Sequence, residues 1–439
     1  MVAKKWVISI CLLSLVLVLG GCGGKTTGDS GSAEQGQAPV AKDHAPVTLS
    51  MYAFSTSTNE KEFQTYMKPF VEKKYPYITL EWIPGGKGQS LDDWIAQGKI
   101  PDIVVTGYAS ITKLQDKELP LDLNGLVKKN KFDTKVFDPI ALQSVTNYGT
   151  KGELYGLPYV NNYFAMFYNK DIFDKFGAPY PKDNMIWEDT IELAKKVSRN
   201  EDGRQYLALQ IGNFATFGRG LSLPVVDPKT DKAMLNTDGW LNVLQLLKSI
   251  YSIPGNEVKG TAVKFFTDGV TAMLPNWGQA TVDKITDFVD NGGSLNWDLV
   301  AYPSFKQSPG KTMEISTNIY TISRTSKYQD EAFQAITYLS SSNEVQSFSA
   351  TNGMVPVIKI DNPEKVFGSN VPVLKGKNVA GIFKGESRED HIPSRYDNQG
   401  VDAIGKYANQ YVKGDISDAR TALSQAEEEA NQNIAVAKQ

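Results

Sequence analysis

Val47-Thr48-Leu49-Ser50-Met51-Tyr52-Ala53, Ile78-Thr79-Leu80-Glu81-Trp82-Ile83 and Ile103-Val104-Val105-Thr106 are the three runs that decide the fold class. Each is short and rich in β-prone residues, and the first alternates between apolar and polar, as a half-buried strand must. Helix signals separate them. Ser57 with Glu60 reads as a capping box opening a helix to about Lys74, which Pro69 should kink. Ser90 with Asp93 reads as a second helix start. Strand, helix, strand, helix, strand predicts βαβ units and a parallel sheet, hence an α/β protein. Ligands on such sheets gather at the carboxyl ends of the strands. That makes Phe54, Ser55 and Tyr108 candidate ligand contacts, beside the turn at Pro84-Gly85-Gly86. Asp102, at the head of the third strand, could accept from ligand hydroxyls or only cap the strand.

Outward towards the C-terminus the chain turns more helical. Trp240, Val243, Leu244, Leu247 and Ile250 share one helical face after Thr237-Asp238. Glu331–Leu339 and Ser417–Ile434 also read as helices. Towards the N-terminus the pattern is that of an export address. Lys4 and Lys5 precede an apolar run, Trp6 to Leu19, too short for the roughly 20 residues that span a bilayer. Leu19-Gly20-Gly21-Cys22 resembles a bacterial lipobox, which implies a signal peptide over 1–21 and lipidation (palmitate) of Cys22. Gly23 to Pro46 is Gly, Ser, Thr, Ala, Gln and Pro without apolar periodicity, a flexible tether with a reach of roughly 25–30 Å.

Composition narrows the chemistry. At 439 residues the chain is long enough for two to three domain-sized units. With 46 Lys and Arg against 49 Asp and Glu, it offers no basic field for nucleic acid. His44 and His391 are the only histidines, which excludes a multi-histidine metal site. Cys11 and Cys22 both lie in the leader region, so the body carries no disulfide and no thiolate metal site. The nucleophile-elbow, phosphate-loop, dinucleotide and zinc-protease motifs are absent from the sequence. Asp202-Gly203 lacks the spacing of a calcium loop and reads as a β-turn. No cofactor and no metal are expected. Paired carboxylates remain available, so a glycoside hydrolase is the rival class.

Five segments then point the same way. They are Glu153-Leu154-Tyr155-Gly156-Leu157-Pro158-Tyr159, Met166 to Phe173 (MFYNKDIF), Phe266 to Met273 followed by Trp277, Trp297 to Pro303 (WDLVAYP), and Asn352-Gly353-Met354-Val355-Pro356. In this order they resemble the extracellular solute-binding proteins, family 1, of ABC sugar importers. One departure is local: Ile186 stands before Trp187 where the family usually has a capping Thr, so Asn184 is expected to cap that helix. The resemblance implies a two-lobe, periplasmic-binding-protein-like α/β fold with hinge strands and a ligand cleft between the lobes. Carried onto this chain, lobe 1 is 47–157 plus 302–324 and lobe 2 is 158–298 plus 325–439. Crossings are expected near Leu157–Asn162, Asp298–Tyr302 and Ser323–Tyr328. The implied function is an extracellular lipoprotein that captures a carbohydrate and hands it to the permease of an ABC importer, without catalysis. It is expected to be monomeric and lipid-anchored on the outer face of a Gram-positive cell membrane. A binding protein for a non-sugar solute, such as a polyamine or a peptide, is the second alternative.

A sugar presents an apolar ring face and a rim of hydroxyls, so aromatic, amide and charged side chains in loops are the candidates. Trp277, between Asn276 and Gly278, is the expected stacking platform. Tyr159, Asn161, Asn162 and Tyr163 cluster at the first expected crossing. Asn213, Phe214, Phe217 and Arg219 form a polar-aromatic, glycine-rich loop. Trp82, Trp187, Trp240 and Trp297 sit in regular elements and are expected in the core. His391, Arg395 and Tyr396 form a further polar loop with no partner identifiable from sequence.

Overall fold

The computed structural model describes residues 44–439 apart from 57, 259–264, 266–267 and 390. The leader, the lipobox and the tether as far as residue 43 therefore lie outside the described residues, as do Ser57 and the first two residues of the Phe266–Met273 motif.

Fourteen strands are present in the described residues: β1 (Val47–Phe54), β2 (Ile78–Ile83), β3 (Ile103–Gly107), β4 (Leu157–Asn162), β5 (Phe164–Asn169), β6 (Arg199–Glu201), β7 (Arg204–Leu209), β8 (Val226–Asp227), β9 (Lys232–Ala233), β10 (Thr271–Trp277), β11 (Trp297–Ala301), β12 (Lys311–Glu314), β13 (Ser316–Ile322) and β14 (Glu386–Arg388). Two five-stranded sheets organise them, ordered β2-β1-β3-β13-β4 and β11-β5-β10-β7-β6. β1 pairs in parallel with both β2 and β3, as the βαβ reading requires, with Met51 opposite Ile103. β13 runs antiparallel to β3 and β4, so the sheet is mixed.

Local starts follow the chemistry of their caps. Ser90 and Asp93 make both bonds of a capping box, at 3.2 and 2.8 Å. The first helix is capped instead by Asn59, whose side chain accepts from the Glu62 N–H. It widens into a π-helical turn over Phe63–Met67 before Lys68–Lys74, and this places Pro69 in a first turn, where its missing N–H costs little. Asn184 does not cap the helix Trp187–Ala194; the Trp187 N–H donates to the Ser304 carbonyl at 3.0 Å. A tertiary carbonyl thus does the work expected of a local side chain.

Each sheet has its own core. Leu49, Met51, Val105, Leu157 and Tyr320 are buried in the first, and Met166, Trp187, Trp240, Leu244 and Met273 in the second. Trp297 is buried in a satellite of the second sheet, whereas Trp82 is half-buried against the first core. The chain leaves the first sheet between β4 and β5, at Tyr163, and returns between β11 and β13. The second crossing falls later than expected, since Tyr302, Phe305 and Met313 still pack in the second core and Ile315 is in the first. The third crossing differs as well. Ala332, Phe333, Ile336 and Leu339 of the helix Gln329–Ser341, and residues as far as Ile360, pack in the first core, not the second. Phe367 and Leu374 then pack with Trp297 and Leu299 beside the second sheet. Helical periodicity reveals an apolar face but not which sheet it covers.

Candidate functional site

The carboxyl ends of β1 and β3 deliver Ser55, Thr56 and Gly107 to Ser110 to one wall of a cavity of about 390 Å³. Ser316 and Asn318 of β13 and Asn162 of β4 complete that wall. The opposite wall is Trp277 to Ala280, at the end of β10, together with Arg219. A second cavity of about 300 Å³ adjoins it, lined by Asn213, Glu314, His391 and Asp397 among others. The two share Tyr108, Ala109, Arg219 and Trp277, so these residues stand at the junction of one elongated site. The site lies where strand ends of both sheets meet, as the open-sheet rule predicts.

Arg219 is the hub. Its guanidinium donates to the Tyr108 hydroxyl at 2.6 Å, to the Ile315 carbonyl at 3.1 Å and to Glu314 Oε2 at 3.2 Å. It also lies 5.7 Å from the Trp277 ring and 5.9 Å from the Tyr108 ring, within cation–π range. The Glu314 side chain is fully buried. Its second oxygen meets the backbone N–H of His391 at 3.1 Å and the ring Nδ1 at 3.0 Å. His391 Nε2 in turn lies 3.3 Å from Asp397 Oδ2. A buried carboxylate is tolerated only when paired and hydrogen-bonded, and Glu314 is both. Trp277 is half-buried and packs against Phe164 at 3.9 Å between ring centroids.

Of the expected contacts, Trp277, Tyr108 and Arg219 come together at the junction. Ser55 and Asn162 line the outer cavity and Asn213 the inner one, where its side chain also caps the short helix Phe214–Phe217. The others lie elsewhere. The Tyr159 ring is buried and stacks on Tyr320 at 4.1 Å, and its hydroxyl is bonded to Thr58. Asn161 is buried, accepts from the Thr317 hydroxyl at 2.8 Å and borders a separate cavity of about 790 Å³. Successive strand residues point to opposite faces, which is why Asn162 reaches the cleft and Tyr159 and Asn161 do not. Tyr163 is buried at the crossing beneath Gly278, Phe214 and Phe217 are buried in the second core, and Phe54 packs against the first. Asp102 ties strands together: it accepts from the Ser50 N–H at 2.9 Å and from Ser326 at 2.6 Å. Arg395 pairs with Asp116 at the surface.

Glu314, Gln279, Ser316 and Asn318 were not singled out from sequence, and His391 was noted without a partner. The polar Ser316-Thr317-Asn318 inside an otherwise apolar run was the available signal: its alternate members face the cleft.

The bacterial extracellular solute-binding protein family model matches residues 65–364. A binding protein of Brucella abortus is 23% identical over 339 residues, which are 72% of this chain and 77% of the relative. Among solved structures, an ABC substrate-binding protein from Listeria monocytogenes in complex with cycloalternan aligns with a TM-score of 0.70 at 20% identity, over 89% of this chain and 99% of its own. The sugar-binding protein MalE from Xanthomonas citri aligns with a TM-score of 0.68 at 17% identity, over 89% and 98%. At these identities the structural likeness speaks for the fold. The family match, which covers well over half of the chain, decides membership: the chain belongs to the bacterial extracellular solute-binding proteins.

Proposed function

We propose that this protein captures a carbohydrate, and specifically an oligosaccharide, in the elongated site and delivers it to the permease of an ABC importer. One observation carries the reading: Trp277, Tyr108 and Arg219 form the shared wall of two adjoining cavities, with Asn162, Asn318 and Asn213 as amides around them. Aromatic faces suit pyranose rings, and amides and the guanidinium suit hydroxyls. Similar structures with cycloalternan or mannotriose bound support a sugar over a polyamine or a peptide. A thermal-shift screen of mono- and oligosaccharides tests it. A sugar at 100 times its Kd adds about 2.7 kcal/mol of stability. Stabilisation by a polyamine or a peptide, with none by any sugar, overturns the carbohydrate assignment.

Capture without bond cleavage is the second part of the proposal. Chromatography of oligosaccharides incubated with the protein should show no new products. We further propose a monomer, exported by the signal peptide 1–21, lipidated at Cys22 and tethered by 23–46 to the outer face of a Gram-positive membrane. The export and anchoring parts rest on the sequence alone. Cys22→Ala should release the protein from the membrane fraction or leave its leader uncleaved. Unchanged attachment with a normally processed N-terminus would sink the anchor. We further propose lobes of 45–162 with 315–360, and 164–313 with 367–439, a division supported by the packing of Ile315 with the first core and of Tyr302, Phe305 and Met313 with the second.

A further inference from the structure

Glu62 closes the first helical turn after β1, and its Oε1 accepts a 2.9 Å hydrogen bond from Nε2 of Gln279. Gln279 belongs to the helix Gly278–Asp290 that follows β10 of the second sheet, and it lines the outer cavity. The bond therefore crosses from one lobe to the other at the rim of the site. Glu62 is half-buried there. Tyr66, Tyr159 and Tyr320 of the first core lie near enough for its charge to act on their hydroxyls. Asp283, one helical turn along from Gln279, acts on it electrostatically from the second lobe, and Asp283 in turn is acted on by Asp287 and by Lys61 of the first lobe.

We propose that Glu62 and Gln279 form a latch across the cleft whose closing takes up a proton, so that solute capture is tuned by the surrounding pH. This rests on the reading that the lobes close around a solute. Burial first, and the Asp283 carboxylate second, push the Glu62 carboxyl up to about 8, against the hydrogen bonds from Gln279 and the Asn59 backbone, which favour its charged form. It is the burial on closing, not the Gln279 bond, that takes up the proton. When the lobes part, the carboxyl meets water and returns towards its ordinary 4.5. The group is thus raised in the closed form. Closure is at full strength near the lower value, weakens by up to about tenfold per pH unit as pH rises, and stops weakening above the higher one. Solute is held in mildly acidic surroundings and let go in alkaline ones.

Two measurements test the latch. In small-angle scattering of the sugar-free protein from pH 6 to 9, the radius of gyration should grow with pH in the wild type and stay flat in Glu62→Gln. In Asp283→Asn the growth should level off at lower pH, because one like charge is gone. Calorimetry with maltotriose and mannotriose, in phosphate and in Tris at pH 7, should show uptake of up to one proton per binding event in the wild type and none in Glu62→Gln. The same pH response in wild type and Glu62→Gln, or a flat wild type, overturns the proposal. Should neither trisaccharide bind, the carbohydrate reading is what suffers, and the sugar-free profile still decides the latch.

Discussion

Trp277 and Arg219 show how much a single residue can do in this site. Trp277 leaves the end of β10, rests on Phe164 and borders both cavities. An indole face over a pyranose ring contributes roughly 1–3 kcal/mol, by analogy with buried aromatic contacts and stacked bases. Trp277→Ala should therefore weaken sugar binding by about ten- to a hundredfold. Because the ring is half-buried, the melting point should fall less than for Trp240, whose truncation costs roughly 3–5 kcal/mol. Calorimetry and melting of the same variant separate the two effects; intact affinity with a badly lowered melting point would make Trp277 a packing residue. Arg219 is bound to Glu314 as well as to Tyr108, so Arg219→Ala leaves a buried carboxylate half-partnered. It should cost about 3–5 kcal/mol of stability, whereas Glu314→Gln with Arg219 intact should cost less, and paired denaturant titrations check the order. Trp277 was legible in the sequence because an indole flanked by Asn and Gly at a strand end is a loop signal. Glu314 was not, since nothing local distinguishes it from a surface acid: its burial is created by Arg219 and His391, each over seventy positions away.

At the scale of elements, the sequence carried the strands of the first βαβ units and several helices, but not others such as Gly278–Asp290 and Asp397–Lys413, and not the tertiary assignments. β1, β2 and β3 lie where alternation and turn signals put them, and the Ser90 capping box forms as written. What failed were features supplied by distant partners: the Ser304 carbonyl that caps Trp187, and the sheet on which the helix Gln329–Ser341 lies. The crossing between β4 and β5 depends on close packing. Gly278 donates its N–H to the Tyr163 carbonyl at 2.7 Å, and a Cβ there would sit 1.8 Å from the Tyr163 ring. Gly278→Ala must displace that ring, an overpacking cost of roughly 1–3 kcal/mol, read as a lowered denaturation midpoint. A second clamp is Asp183, which accepts from the Ala301 N–H at 2.9 Å and from Lys384 at 2.6 Å, and also from Asn378. Burial alone would raise its carboxyl, but Lys384, Ala301 and Asn378 together hold it below its ordinary range. The group is depressed in the folded protein, so its contribution is present above about pH 4 and fades as the pH falls further. Asp183→Asn should destabilise by roughly 1–3 kcal/mol at neutral pH, and the difference from wild type should shrink in acid. A difference that stays constant down to pH 2 would mean the ion pair contributes nothing.

At the scale of the whole molecule, two cores joined by crossing strands predict a hinge motion. The backbone ladders hold each sheet together, so bending is expected at the crossings. Several polar bonds span the cleft: Arg219 to Tyr108 and to the Ile315 carbonyl, Arg395 to Asp116 and Gln279 to Glu62 link the walls that a solute would separate or join. A sugar touching both walls interacts more strongly with the closed form, and by population shift alone it draws the molecule towards closure. The radius of gyration should therefore fall on saturation with a binding oligosaccharide. Tyr108→Phe keeps the ring face but removes the hydroxyl that Arg219 reaches across the cleft. It should raise the sugar-free radius while leaving the saturated one unchanged, because the bound sugar supplies the missing link between the walls. It should also weaken binding by no more than about tenfold, the worth of one charge-assisted hydrogen bond. Scattering on wild type and Tyr108→Phe, with and without sugar, gives four radii. If all four coincide, the molecule does not close, and the strands that join its two sheets are rigid struts rather than hinges.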